Sequence, residues 1–196
     1  MTANPQGAAS ATATRIIEAA TNQFFAFGYH GASMKQLAQE AGIRSATLYY
    51  HFPNKQQLLV DIMRTTLESL TASVQVSIEA ETDPVRALSK ALTSHILFHV
   101  DHHREVFLCD AELRALVPDA RPEIVALRDR YEEIFRSTLR AGRDTGVLAV
   151  PSVELVSRSL LASCSGIAVW FRPDGDMTID EVAATYVNLF LGALRP

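Results

Sequence analysis

Apolar residues recur at three- and four-residue intervals along most of this chain, and no stretch alternates with the period of two that a strand needs. The pattern predicts an all-α protein of about nine helices, without internal repeats. Ile17, Ala20, Phe24 and Phe27 give the first helix its apolar face, and Gly28 and Gly31 interrupt it. Leu58, Leu59, Ile62, Met63, Leu67, Leu70 and Val74 form the stripe of a long helix that Asn54 caps and that runs to about Ile78. Asp83 followed by Pro84 is a cap-then-proline start for a helix carrying Leu88, Leu92, His95, Ile96 and His99. A short helix is expected around 106–116, ending near Pro118. Another should run from about 122 to 141, with Ile124, Leu127, Tyr131, Ile134 and Phe135 inward and Gly142 and Gly146 at its end. The last two cover roughly 152–171 and 178–194. Arg172-Pro173-Asp174-Gly175 makes the turn between them, and Thr178 with Glu181 forms a capping box.

Residues 27–55 carry two short helices separated by a tight turn. Ser33 and Gln36 form a capping box that starts the first. Leu37, Ala38 and Ala41 line one face of it, and Gly42 ends it with the freedom a sharp turn requires. Ile43, Leu48 and Phe52 can then point to the core, which leaves Arg44, Ser45, Thr47, Tyr50 and His51 outside. That succession is a helix-turn-helix, which lays its second helix in the major groove of DNA. Arg44 and Ser45 open that second helix, where side chains reach base edges; Arg suits a guanine and Ala46 a thymine methyl. Lys35, on the helix before, can meet a base or a phosphate, and Ser33 and Thr47 can add hydroxyl contacts.

The chain resembles the TetR family of bacterial transcriptional repressors. The resemblance rests on Arg15, Ala19-Ala20, Phe24 to Tyr29, Ser33, Leu37-Ala38, Ala41-Gly42-Ile43, Leu48 to Phe52 and Lys55, and is nearly complete over residues 14–60. It implies that Tyr50, His51 and Lys55 touch phosphates and fix orientation without reading sequence. Tyr49 stands between a core role and a DNA contact. It further implies a disordered tail over 1–13, a DNA-binding domain over 14–53, and a ligand-binding and dimerisation domain over 54–196. Such a protein binds a palindromic operator on double-stranded DNA as a homodimer, and a small-molecule effector shifts the spacing of the two headpieces. Trp170-Phe171-Arg172-Pro173, with residues 110–114, resembles the subgroup that controls fatty-acid or steroid breakdown and senses acyl-CoA thioesters. No cationic set for the CoA phosphates is evident.

For the effector pocket the candidates are Met63, Leu67, Leu92, His95, Phe98, His99, Phe107, Tyr131, Phe135 and Trp170, an apolar lining with a few polar groups; plain core explains most of them equally well. For the dimer seam they are the small residues Ser159, Ala162, Ser163 and Gly166 with Val182, Tyr186 and Phe190. The alternative is that this face packs inside one subunit.

Composition narrows the classes. The 196 residues are 48% hydrophobic and 20% charged, enough to bury a sizeable core. The net charge of −4 conceals an asymmetry. Residues 1–60 carry four positive charges against two negative, a net of +2, and residues 61–196 carry 14 against 20, a net of −6. Only the headpiece should approach phosphate. Cys109 and Cys164 lack metal spacing and are expected as buried free thiols. Residues 1–13 hold no apolar run, and no segment approaches roughly 18 consecutive apolar residues, so a cytoplasmic protein without a membrane partner is expected. His95, His99, His102 and His103 fall at i, i+4, i+7 and i+8, which leaves open a metal-responsive regulator, or a metal-assisted hydrolase drawing on Asp101 or Glu105. Histidines near a helix end more often complement its dipole or face solvent. No Ser/His/Asp or Cys/His arrangement has motif spacing and no Gly-rich phosphate loop is present. Neither an enzyme nor a cofactor is expected.

Overall fold

The computed structural model describes residues 5–196, with side chains from residue 11 onward. The described residues form α1 (Pro5–Gly31), α2 (Met34–Glu40), α3 (Ser45–His51), α4 (Lys55–Ile78), α5 (Pro84–Asp101), α6 (His103–Ala111), a 3-10 turn (Leu113–Ala115), α7 (Arg121–Asp144), α8 (Val153–Ser165), the single turn α9 (Ile167–Trp170) and α10 (Ile179–Ala193). No strand occurs among them. The caps fall where the sequence puts them: Ser33 with Gln36, Asp83 before Pro84, and Thr178 with Glu181. Each contributes about 1 kcal/mol to its helix.

Part of the expected tail over 1–13 is helical, since α1 starts at Pro5; Ala8, Ala9, Ala11 and Ala13 are the best helix formers available. Residues 1–4 of that tail lie outside the described residues. The apolar face of α1 is also rotated from expectation. Ile16, Ala20 and Phe24 are fully buried, whereas Phe27 is 63% exposed. Gly28 adopts φ 72, ψ 161, a conformation open essentially only to glycine, and breaks the helix next to Phe27. The helix expected over 106–116 divides into α6 and the 3-10 turn, and the one over 152–171 breaks at Gly166, the cap shared by α8 and α9. Beyond α7, Gly146 turns the chain with φ 74, and Leu148 lies so close against Gly142 that a Cβ there would force the leucine side chain to move.

The chain divides into two compact units. The first comprises residues up to Thr66 together with Arg104–Val125, so α6 and the 3-10 turn belong with the headpiece rather than with the body. Its core is Ile16, Phe24, Leu37, Leu48, Leu58, Leu59, Ile62 and Leu108. Phe25 meets Phe107 edge to face, and Arg64 bridges Asp61 to Glu123. The second unit comprises Leu67–His103 and Ala126–Pro196. Here α5 is central, with α8, α9 and α10 packed on it and the rings of Tyr131 and Phe135 from α7 against His95. Val153–Trp170 has a mean hydropathy of 1.2 over 18 residues; it carries Glu154 and Arg158 and breaks at Gly166. Cys109 and Cys164 are both buried, one in each unit.

Candidate nucleic-acid interface

The turn between α2 and α3 is closed three times over. Gly42, at φ 63, lets Ile43 N–H reach the carbonyl of Ala38 (3.0 Å) while its own N–H reaches Gln39 (3.1 Å), the paired bonds of a Schellman stop. Arg15, from α1, donates through Nη2 to the carbonyls of Ala41 at 2.6 Å and Gly42 at 3.4 Å. Leu37, Ala38 and Leu48 bury the inner faces. The outer face of α3 is therefore fixed from behind and bare in front. Arg44, Ser45 and Ala46 are exposed, Thr47 and His51 are half-buried, and Tyr49 and Tyr50 are 51% and 85% exposed. Of its two readings, Tyr49 takes the surface position. Lys35 projects from α2, also exposed.

Two of the expected contacts are otherwise engaged. The Ser33 hydroxyl accepts from Gln36 N–H and donates to Gln36 Oε1 as the cap of α2. Lys55 Nζ donates to the carbonyls of Tyr29 (2.6 Å) and Ala32 (2.8 Å) and sits 4.3 Å from the Tyr29 ring centre. Burial lowers its pKa, against an opposing pull from Glu112. Residues that spacing alone did not single out complete this corner. Glu112 accepts from Tyr29 N–H at 2.9 Å, and Gln56 donates to both the Tyr29 hydroxyl and the carbonyl of Ala115. The Tyr29–Glu112 and Gln56–Ala115 partners are 83 and 59 residues apart in sequence, beyond the reach of any local pattern.

In the second unit Leu67, Leu92, His95, Phe98, His99, Tyr131 and Phe135 are buried. Trp170 is not, at 52% exposure, because α9 ends there and its ring leaves the core. Of the remaining pocket candidates, Met63 is buried in the first unit and its carbonyl faces the Cys109 thiol. Phe107 is also in the first unit and is 45% exposed. At the centre of the second unit lies a polar chain. Its direction follows from its ends: the His95 carbonyl can only accept, so His99 Nδ1 donates to it (2.9 Å) and His99 Nε2 must accept from Ser165 Oγ (3.1 Å). The Ser165 oxygen is then left to accept from His95 Nε2 (3.2 Å), and His95 Nδ1 accepts from the Tyr131 hydroxyl (2.5 Å). The His95 ring is neutral in this arrangement. Burial, then the neighbouring His99, hold the His95 pKa well below its ordinary value, and burial raises that of Tyr131.

The histidines of the expected cluster do not share one helical face. His95 and His99 turn inward, but α5 ends at Asp101, and His102 and His103 lie past its end and are exposed. Among the described residues no three His, Cys, Asp or Glu side chains gather to hold a metal. The expected dimer seam also divides. Ser159, Ala162 and Ser163 are exposed, Gly166, Tyr186 and Phe190 are half-buried, and Val182 is buried within the subunit, since α10 packs that side against α5.

Two family models cover most of the chain: bacterial regulatory proteins of the tetR family match residues 16–62, and the Tetracyclin repressor-like C-terminal domain matches residues 81–194. The HTH-type transcriptional repressor KstR2 of Rhodococcus jostii (strain RHA1) is 28% identical over 92% of this chain and 90% of its own length. Among solved structures, the TetR family transcriptional regulator PfmR from Thermus thermophilus is 34% identical with a TM-score of 0.83, covering 91% of this chain and 97% of that one. AibR, in complex with isovaleryl coenzyme A and operator DNA, is 26% identical with a TM-score of 0.84, over 91% and 97% of the two chains. A helix-turn-helix whose α3 is braced from behind and bare in front, followed by a helical body matched by its own family model, identifies this chain as a member of the TetR family of DNA-binding transcriptional regulators.

Proposed function

We propose that this protein is a repressor that binds a palindromic operator as a homodimer and leaves it when an acyl-CoA or related lipid-derived effector occupies the body. The observation that carries the reading is the bare face of α3, where Arg44, Ser45, Ala46 and Tyr50 stand out from a fully engaged inner face. Arg44 and Ser45 read bases, and Tyr50 and His51 contact phosphates. The positive excess of the first 60 residues against the acidic remainder favours approach by this end alone.

The dimer reading is supported by apolar side chains left open on the second unit. Leu155 on α8 and Leu189 on α10 are 65% and 64% exposed, and the small residues Ser159, Ala162 and Ser163 of α8 are exposed as well. A groove of about 210 Å³ between α8 and α10, lined by Leu155, Ser159, Phe190 and Ala193 among others, suits a second copy of the same helices. The effector reading takes its support from relatives: the AibR complex holds isovaleryl coenzyme A together with operator DNA, and KstR2 is a repressor.

The test is a fluorescence-anisotropy titration of a labelled duplex from the gene's own upstream region, with acyl-CoAs of graded chain length as competitors and the free fatty acids as controls. Saturable binding at two protomers per site, reversed by one class of acyl-CoA, is expected. Equal affinity for scrambled duplex would sink the DNA reading, and indifference to every acyl-CoA would sink the effector reading.

A further inference from the structure

In the resemblance, Lys55 belongs to the DNA; in the fold it belongs to the protein. Gly28 kinks α1, and three backbone groups of the following corner find side-chain partners: the N–H and carbonyl of Tyr29 and the carbonyl of Ala32. Glu112 takes the N–H, and Lys55 takes both carbonyls. Ala32 directly precedes Ser33, the cap of α2, so the second of these bonds anchors the residue next to that cap. Gln56, the next residue, ties the Tyr29 hydroxyl to Ala115 and accepts from Val117 N–H. Three adjacent or facing side chains thus fasten the 28–32 corner, the start of α4 and the 112–117 segment to one another.

We propose that Lys55 and Glu112 are positioning residues for the recognition helix, and that Lys55 controls DNA affinity by fixing the 28–32 corner rather than by contacting a phosphate. The inference rests on the DNA-binding reading above. Two of the three ammonium protons are committed to carbonyls, and the Tyr29 ring lies 4.3 Å away. The lowered pKa of Lys55 agrees with an ammonium withdrawn from water. Segment 104–125, which carries Glu112, is joined at both its ends to the second unit.

A phosphate contact and a positioning bond differ in salt dependence. Each phosphate neutralised contributes about 0.9 to the slope of log affinity against log salt, whereas a positioning bond contributes nothing to it. With the full-length chain and the upstream duplex, Lys55→Met is expected to weaken binding by about tenfold, as loss of a charge-assisted bond does, with the wild-type salt slope retained. Glu112→Ala should weaken binding likewise. Glu112→Gln, whose amide oxygen still accepts the Tyr29 N–H, should restore it to within about twofold. A slope shallower by about one in Lys55→Met, with Glu112→Ala at wild-type affinity, overturns the proposal. If Lys55→Met loses its helical circular dichroism, Glu112→Ala decides alone: weaker binding at an unchanged slope supports the clamp, and unchanged affinity sinks it. Amide exchange at Tyr29 reads the corner without DNA, and should quicken in Glu112→Ala and not in Glu112→Gln. A wild-type protein that prefers no duplex, yet shows this exchange pattern, loses the DNA reading and keeps the clamp.

Discussion

His95 makes the stability of the second unit depend on pH in a window where few other groups contribute. The ring is fully buried and hydrogen-bonded as the neutral form, and its pKa lies well below the ordinary 6.5 it regains on unfolding. Between those two values the unfolded chain binds a proton that the folded one refuses, so stability rises with pH and is complete above about 6.5. Acidification from pH 7 to pH 5 then removes at most RT ln(1 + 10^(6.5 − pH)), which is negligible at pH 7 and reaches a ceiling of about 2 kcal/mol at pH 5. For a chain of this size that is a fall in Tm of about 4–8 °C. The carboxyls of Glu81, Glu123, Glu154 and Glu181 are held below their ordinary 4.5 by ion pairs and caps, so their contributions are lost mainly beneath the window. Urea unfolding at pH 5, 6 and 7, followed by circular dichroism, should show this loss in the wild type. His95→Gln retains an acceptor for Tyr131 and is less stable at pH 7, but its curve should be flatter by up to about 2 kcal/mol across the range. Parallel pH curves for the two proteins would refute the reasoning, because the neutral ring would then not be the titrating group.

Three further changes test other parts of the structure. Gly28→Ala forces a side chain onto φ 72, ψ 161 and should cost about 1–3 kcal/mol, read as a lower Tm, with DNA binding weakened through the displaced corner. An unchanged Tm would mean the kink is not required. Arg44→Ala should cost about tenfold in affinity and broaden the choice of base at one position of each half-site, measured by binding to a panel of single-base variants; a uniform loss across the panel would assign Arg44 to a phosphate. Leu189→Glu places a charge on a 64%-exposed apolar position and should shift light-scattering mass from dimer to monomer with little change in helix content. A mass that stays at that of the dimer would move the seam elsewhere.

Much of the architecture was legible because its signals are local. Caps three residues apart, proline after aspartate, and glycine after a short apolar face each act within one turn of helix, and Ser33, Asp83 and Thr178 cap as expected. Periodicity misplaced Phe27, since the kink at Gly28 breaks the helix next to it. It assigned Val182 to a seam because a buried and a bare apolar side of α10 look alike in sequence. Lys55 drew a phosphate role from resemblance, while its carbonyl partners lie 23 and 26 residues earlier. Ser165, 66 and 70 residues from the two rings it joins, gave no signal at all; a serine in an apolar helix is commonplace until the histidines fold against it.

The two cysteines give this molecule a pair of internal clocks. Cys109 lies in the first unit and Cys164 in the second, and burial pushes the Cys164 thiol up to about 12. At neutral pH its reactive thiolate is on the order of one molecule in 10⁵, so alkylation of the native chain proceeds through moments when the interior opens. The rate of labelling at each thiol, separated by peptide mass, therefore times the breathing of each half independently. Operator should slow the first clock and effector the second, without any reporter having been engineered.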